Sequence, residues 1–150
     1  MTIVIRDASP ADGPIIAEFN SRLREETEGK SLDPAVIGPG VAAMLDDPLK
    51  GRYWVAEADG EIVGQIMVTY EWSDWRNGFW WWLQSVYVRD DSRDAGVFKA
   101  LYRYVEALAR DDESAVGIRL YVERDNASAQ AIYDKLGFRE TGYRMQQKAF

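Results

Sequence analysis

The stretch Gln84-Ser-Val-Tyr-Val-Arg-Asp-Asp-Ser-Arg-Asp-Ala-Gly-Val-Phe-Lys-Ala-Leu101 decides the fold. It opens as a strand ending near Val88, passes through a short polar turn, and becomes a helix starting near Gly96. The first amides of a helix have no intrahelical partner and carry the positive end of its dipole, so the turn favours an anion. Gly96 lets the backbone approach closely, and Arg93 offers several donors, a pairing suited to a pyrophosphate. The plain alternative is an ordinary strand-to-helix connection that contains a glycine.

Downstream, Val97, Ala100, Leu101, Tyr104, Val105 and Leu108 form a helical stripe over residues 96–110, and Val116 to Val122 alternates as a strand. Asp125 or Asn126 then caps a helix carrying Ala129, Ile132 and Leu136, stopped by Gly137, and Gly142 to Phe150 reads as a final strand. Seven residues at about 100° each return Tyr133 to nearly the helix face of Asn126.

Upstream, Thr2 to Arg6 reads as a first strand, and Ser9-Pro10-Ala11-Asp12 starts a helix that ends near Gly29. Asp33-Pro34 begins another helix, which Gly38-Pro39-Gly40 is expected to break into two pieces. Tyr53 to Glu57 and Ile62 to Tyr70 flank Asp59-Gly60, a hairpin turn pair. The aromatic and acidic turn Glu71 to Gly78 leads into the strand Phe79 to Val88.

Composition narrows the function classes. A chain of 150 residues, 47% hydrophobic, with six Trp, five Phe and eight Tyr, is sufficient for one core, so residues 1–150 are expected to form a single domain. The net charge of -7 opposes non-specific binding to nucleic acid or an anionic membrane. With no Cys and no His, disulfides, thiol nucleophiles and His-paired serines are excluded, and the usual zinc, haem and iron-sulfur sites lose their ligands. Acid-base work falls to Asp, Glu, Tyr, Lys, a terminus or water. No signal segment or apolar span is apparent, so a cytoplasmic protein is expected.

Two motifs carry a resemblance. Val88-Arg-Asp-Asp-Ser-Arg93-Asp-Ala-Gly96-Val-Phe98 is similar to the Arg/Gln-x-x-Gly-x-Gly/Ala acetyl-CoA motif of the GNAT superfamily of N-acetyltransferases. Asn126-Ala-Ser-Ala129, Tyr133 and Gly137-Phe138 resemble its later motif. Phe98 replaces the final small residue, and Asp94 stands where Gly is frequent.

The resemblance implies an α/β fold (α+β by some schemes): a mixed, mostly antiparallel sheet of six or seven strands flanked by about four helices, forming one N-acetyltransferase domain. It implies acetyl-CoA as co-substrate, no metal, and a homodimer. The backbone of Val86, Tyr87 and Val88 would meet pantetheine where the fourth and fifth strands splay, with the Val86 amide holding the thioester carbonyl oxygen. Amides of Arg93, Asp94, Ala95, Gly96, Val97, Phe98 and Lys99 would take the pyrophosphate, and Asn126 and Ser128 the pantetheine arm. Tyr133 would lie near the sulfur as general acid.

Where relatives place a Glu on the fourth strand, this chain has Gln84 and Ser85, so Glu71 or Asp74 is expected to act as base through water. Glu26, Trp75 and Gln84 are the expected acceptor contacts. The expected acceptor is the primary amine of a small molecule, cationic or amino-acid-like, because carboxylates beside indole faces attract cations. A non-catalytic acyl-CoA-binding regulatory module is the competing reading.

Overall fold

Asp59 and Gly60 both adopt left-handed backbone, φ 54° and 81°, and this tight turn joins β2 (Arg52–Ala58) to β3 (Glu61–Ser73). A second reversal at Asp74–Asn77, with Asn77 at φ 51°, joins β3 to β4 (Gly78–Val88). The expected turn from Glu71 is therefore shorter, because the two strands keep pairing out to Ser73 opposite Gly78. With β1 (Ile3–Asp7) and β5 (Ala115–Arg119) these form one five-stranded sheet in chain order, antiparallel except for the parallel β4–β5 pair.

The computed structural model describes all residues, Met1–Phe150, in two compact units, Met1–Leu120 and Tyr121–Phe150. The first holds the sheet and three helices, α1 (Gly13–Glu28), α2 (Pro34–Asp46) and α3 (Val97–Asp111). The second holds α4 (Ala127–Lys135). No helix is long and apolar enough to cross a membrane.

Ser9 caps a short 3-10 turn, Pro10–Asp12, that runs directly into α1 at Gly13. The Asp12 carboxylate accepts the Ser9 amide at 2.7 Å and also receives two bonds from the Arg6 guanidinium, at 2.7 and 3.0 Å. That guanidinium, acting against desolvation, holds the Asp12 carboxyl below its ordinary range. At the other end Gly29, at φ 63°, donates to the Glu25 carbonyl and stops the helix.

One helix, not a broken pair, spans Pro34–Asp46. Pro39 removes only the bond to the Ala35 carbonyl, and its glycine neighbours relieve crowding by the ring. Buried Val41 and the partly buried Met44 and Leu45 anchor the rest against Ile16, Tyr53, Val55 and Met67. On α3, Val97, Leu101 and Val105 of the expected stripe are buried, but Tyr104 is exposed and Tyr102 and Ala109 are buried instead. Val63 to Val68 are buried without interruption, as expected of a strand covered on both faces.

Five strands form where six or seven are expected. The strand expected over Val116 to Val122 stops at Arg119, where its ladder to β4 ends opposite Trp82. Residues 142–150 form no strand; their own unit contains no other strand to pair with, and their side chains are exposed.

Candidate active site

Near the end of β4 the pairing with β3 slips. Gln65 lies opposite Tyr87 and Met67 opposite Gln84, so Ser85 and Val86 together face Ile66 alone. Ser85 takes left-handed backbone, φ 50°, unusual for a residue with a Cβ. This bulge shifts the alternation of faces, placing Gln84 and Tyr87 on the same side of the sheet. Tyr87 packs on Phe19 of α1, ring centroids 5.0 Å apart. On the other edge β5 pairs with β4 only from Phe79 to Trp82, so Val86 and Val88 lie beyond the last paired residue.

The groups bonded to the bulge are neutral. Gln65 donates to the Ser85 carbonyl at 3.0 Å and to Asn20 at 3.2 Å, and Asn20 donates to the Tyr53 hydroxyl at 3.0 Å. Burial raises the pKa of the Tyr53 hydroxyl. Gln84 donates to Thr69 at 2.6 Å.

After the bulge the chain turns at Asp90–Ser92 and enters α3 through two left-handed residues, Asp94 at φ 65° and Gly96 at φ 83°. A Cβ on Gly96 would meet no atom within 4 Å, so it is the backbone angle that calls for glycine. Ala100 donates to the Gly96 carbonyl at 3.0 Å, and the amides of Val97, Phe98 and Lys99 precede that first intrahelical bond. Asp94, Ala95 and Lys99 are exposed, and the Phe98 ring stacks along the helix on Tyr102 at 6.2 Å.

Arg93 is exposed, and its guanidinium is engaged by the chain's own groups. Its Nε donates to the Val88 carbonyl at 3.0 Å, and its two terminal nitrogens meet Glu26 at 2.6 Å and Asp90 at 2.5 Å. Glu26 also accepts from the Tyr87 hydroxyl at 3.3 Å, and burial, with that carboxylate beside it, raises the Tyr87 pKa. Glu26, expected at the acceptor, is therefore tied to the turn.

In the second unit Asn126 caps α4, its side-chain oxygen accepting from the Ala129 amide at 3.1 Å and the Ser128 hydroxyl at 3.3 Å. Tyr133 is half-buried with its ring 5.6 Å from Phe138, edge to face, and burial raises its pKa. At neutral pH its hydroxyl carries its proton.

The Trp-rich hairpin is filled by the chain's own charges. Glu71 accepts from Trp82 Nε1 at 2.8 Å and from Arg119 at 3.2 Å. Arg119 lies 3.9 Å over the Trp80 ring, and Arg76 lies 5.0 Å from the same ring. Trp75 is exposed at the tip, where its amide donates to Asp74. Glu71 stands five residues along β3 from Ile66, about 16 Å at the strand rise of ~3.3 Å per residue, and Asp74 is farther still.

Asn20, Tyr53, Gln65 and Arg119 were not among the expected site residues. Only Gln65 left a sequence signal, a lone amide within the apolar run Ile62 to Val68.

A profile of the acetyltransferase (GNAT) family matches residues 17–138. The chain belongs to that family. A solved possible acetyltransferase from Clostridium difficile 630 is 46% identical, with 100% of this chain and 99% of that one covered and a TM-score of 0.94. A ribosomal-protein-alanine N-acetyltransferase from Brucella melitensis biovar Abortus 2308 shares the fold at 16% identity, with 99% of each chain covered and a TM-score of 0.78. So does an aminoglycoside acetyltransferase from an uncultured soil metagenomic sample, at 18% identity, with 100% of each chain covered and a TM-score of 0.76. No curated protein matches the chain.

Proposed function

We propose that this family member is an acetyl-CoA-dependent N-acetyltransferase that moves an acetyl group directly to the primary amine of a small molecule. The observation that carries the reading is the β4 bulge, which leaves the Val86 segment beyond the last β5 pair and leads through the Asp90–Ser92 turn into the first amides of α3. Family membership adds the expectation of acetyl-CoA.

The residues present fit that co-substrate. Asp94 and Gly96 turn the backbone left-handed ahead of three helix-start amides, and nothing crowds Gly96. Arg93 is held by carboxylates, so backbone amides, more than its side chain, are the anion donors here.

Acetyl-CoA supplies an activated acyl carbon when bound. The Val86 N–H polarises the carbonyl and stabilises negative charge on its oxygen as the amine's lone pair attacks the carbon. The departing thiolate takes a proton as the carbon–sulfur bond breaks, the role that the family resemblance gives Tyr133. The amine's surplus proton leaves to water. Glu71 and Asp74, the expected bases, stand well along the hairpin from the bulge and would reach it only through water, and the groups bonded to the bulge are amides and hydroxyls. The amine therefore enters uncharged, and kcat/KM rises with pH along the acceptor's own titration.

A cationic acceptor loses the support its sequence gave it, since Glu71 and Trp80 are occupied by Arg119 and Arg76. Incubating the protein with acetyl-CoA and a panel of primary amines, while following free thiol and product mass, tests the reading. Amine-dependent thiol release with an acetylated product is expected. Acetyl-CoA binding without amine-dependent release favours the non-catalytic module.

A further inference from the structure

Gln65 is an anomaly in the sheet. It is fully buried, 0% exposed, in the middle of β3 between Gly64 and Ile66, where an apolar side chain is the ordinary occupant. Its side-chain amide gives hydrogen bonds to two acceptors, the Ser85 carbonyl and the Asn20 oxygen, which fixes which way round it sits. Its Oε1 has no hydrogen-bond partner. Asn20, buried on α1, is fixed in turn, because its oxygen accepts from Gln65 and its nitrogen donates to buried Tyr53 on β2. Three side chains from α1, β2 and β3 thus form a polar chain that ends on one peptide.

That peptide is the one between Ser85 and Val86. The bulge breaks the β3–β4 ladder there, and Gln65 supplies the bond to the Ser85 carbonyl. The Ser85 C=O and the Val86 N–H belong to a single trans peptide plane and point in opposite directions. Fixing the carbonyl toward β3 therefore aims the amide away from β3, to the side where β5 has ceased to pair. A left-handed serine does not hold this orientation unaided, since the region is sparsely populated for residues with a Cβ.

We propose that Gln65 is a positioning residue for acetyl transfer: through the Ser85 carbonyl it aims the Val86 amide at the thioester oxygen, with Asn20 and Tyr53 holding Gln65 in register. The proposal rests on the acetyltransferase reading given above. Gln65 touches neither substrate, and its effect is on kcat, with little on acetyl-CoA affinity.

The test compares wild-type protein with Gln65→Leu and Gln65→Glu, using an amine identified by thiol release. Gln65→Leu is expected to lower kcat by about tenfold to a hundredfold, the scale of a weakened carbonyl donor, with the acetyl-CoA Kd changed less than about threefold. In Gln65→Glu only the protonated carboxyl donates to Ser85, so kcat is expected to fall as pH rises through its titration, a limb the wild type lacks. This variant carries the test if Gln65→Leu does not fold. The Val86 amide resonance, followed by 1H–15N correlation in acetyl-CoA-bound protein, is expected to move in both variants. A folded Gln65→Leu with kcat within twofold of wild type, a Gln65→Glu without the added pH limb, or an unmoved Val86 resonance overturns the proposal. Wild-type protein that releases no thiol with any amine overturns the underlying reading and the catalytic half of the proposal with it, while the Val86 resonance still decides the geometric half.

Discussion

Two parts of one hairpin, the Trp-rich tip from Glu71 to Trp82 and the bulged end from Gln84 to Val88, make opposite use of their residues. The tip is crowded with charge and aromatic surface, yet those groups satisfy one another: Arg119 bridges Glu71 and Trp80, and Trp82 donates to Glu71. The bulged end has ordinary side chains on an irregular backbone, with a left-handed serine and a peptide turned out of its ladder. A carboxylate beside an indole attracts a cation, and here the chain provides its own. Backbone groups freed by a bulge have no such internal remedy except a side chain placed for them, as Gln65 is.

Substitutions at each end sharpen this contrast. Tyr133→Phe is expected to have the largest effect, lowering kcat more than about tenfold while acetyl-CoA binding persists; unaltered turnover reassigns the ring to packing on Phe138. Because burial raises its pKa above the ordinary tyrosine value near 10, Tyr133 keeps its proton throughout the neutral range. Wild-type kcat should therefore show no loss from this group below about pH 10, and a decline near pH 8 that vanishes in Tyr133→Phe contradicts the burial. Gly96→Val forces a branched side chain into φ 83°, a cost of about 1–3 kcal/mol, and should weaken acetyl-CoA binding measurably by calorimetry.

Asp94→Gly is the milder change in the same turn. It removes a carboxylate near a helix start that favours anions only through backbone dipoles, and it suits the left-handed angle. Acetyl-CoA affinity should rise by about two- to fivefold, from the 0.3–1 kcal/mol typical of a charge at a helix terminus. The smallest effect belongs to the tip. Glu71→Gln breaks an exposed pair with Arg119, so stability should fall by less than about 1 kcal/mol and kcat should stay within twofold. A pH-rate profile altered by Glu71→Gln would erase the distinction between the two ends.

Much of the fold was legible because it is written in local chemistry. Asp59-Gly60 announced a hairpin, Ser9 and Asp12 a helix start, and Gly29 a helix stop, and each behaves as its backbone preferences require. Pro39 misled because its penalty is local, whereas the packing that overrides it, Val41 and Met44 against the sheet, is not. The left-handed turn into α3 was readable through Gly96, a residue chosen for a backbone angle. The bulge was not, because Ser85 carries no preference for left-handed backbone and its support comes from three other elements. The pairing of Glu71 with Arg119 was hidden for the same reason: it joins residues 48 positions apart across the sheet.

The strand order has a consequence for how the protein acquires this geometry. Each strand lies beside its neighbour in sequence, and β2, β3 and β4 form a continuous meander from Arg52 to Val88 closed by short turns. Contacts this local form early, because little chain entropy is lost in closing them. The parallel β4–β5 pair must wait for α3 to fold between its strands. The bulge and its Gln65 support are thus expected to be complete while the edge that the Val86 amide faces is still unbuilt, so the peptide proposed to hold the thioester oxygen is set by the early half of folding.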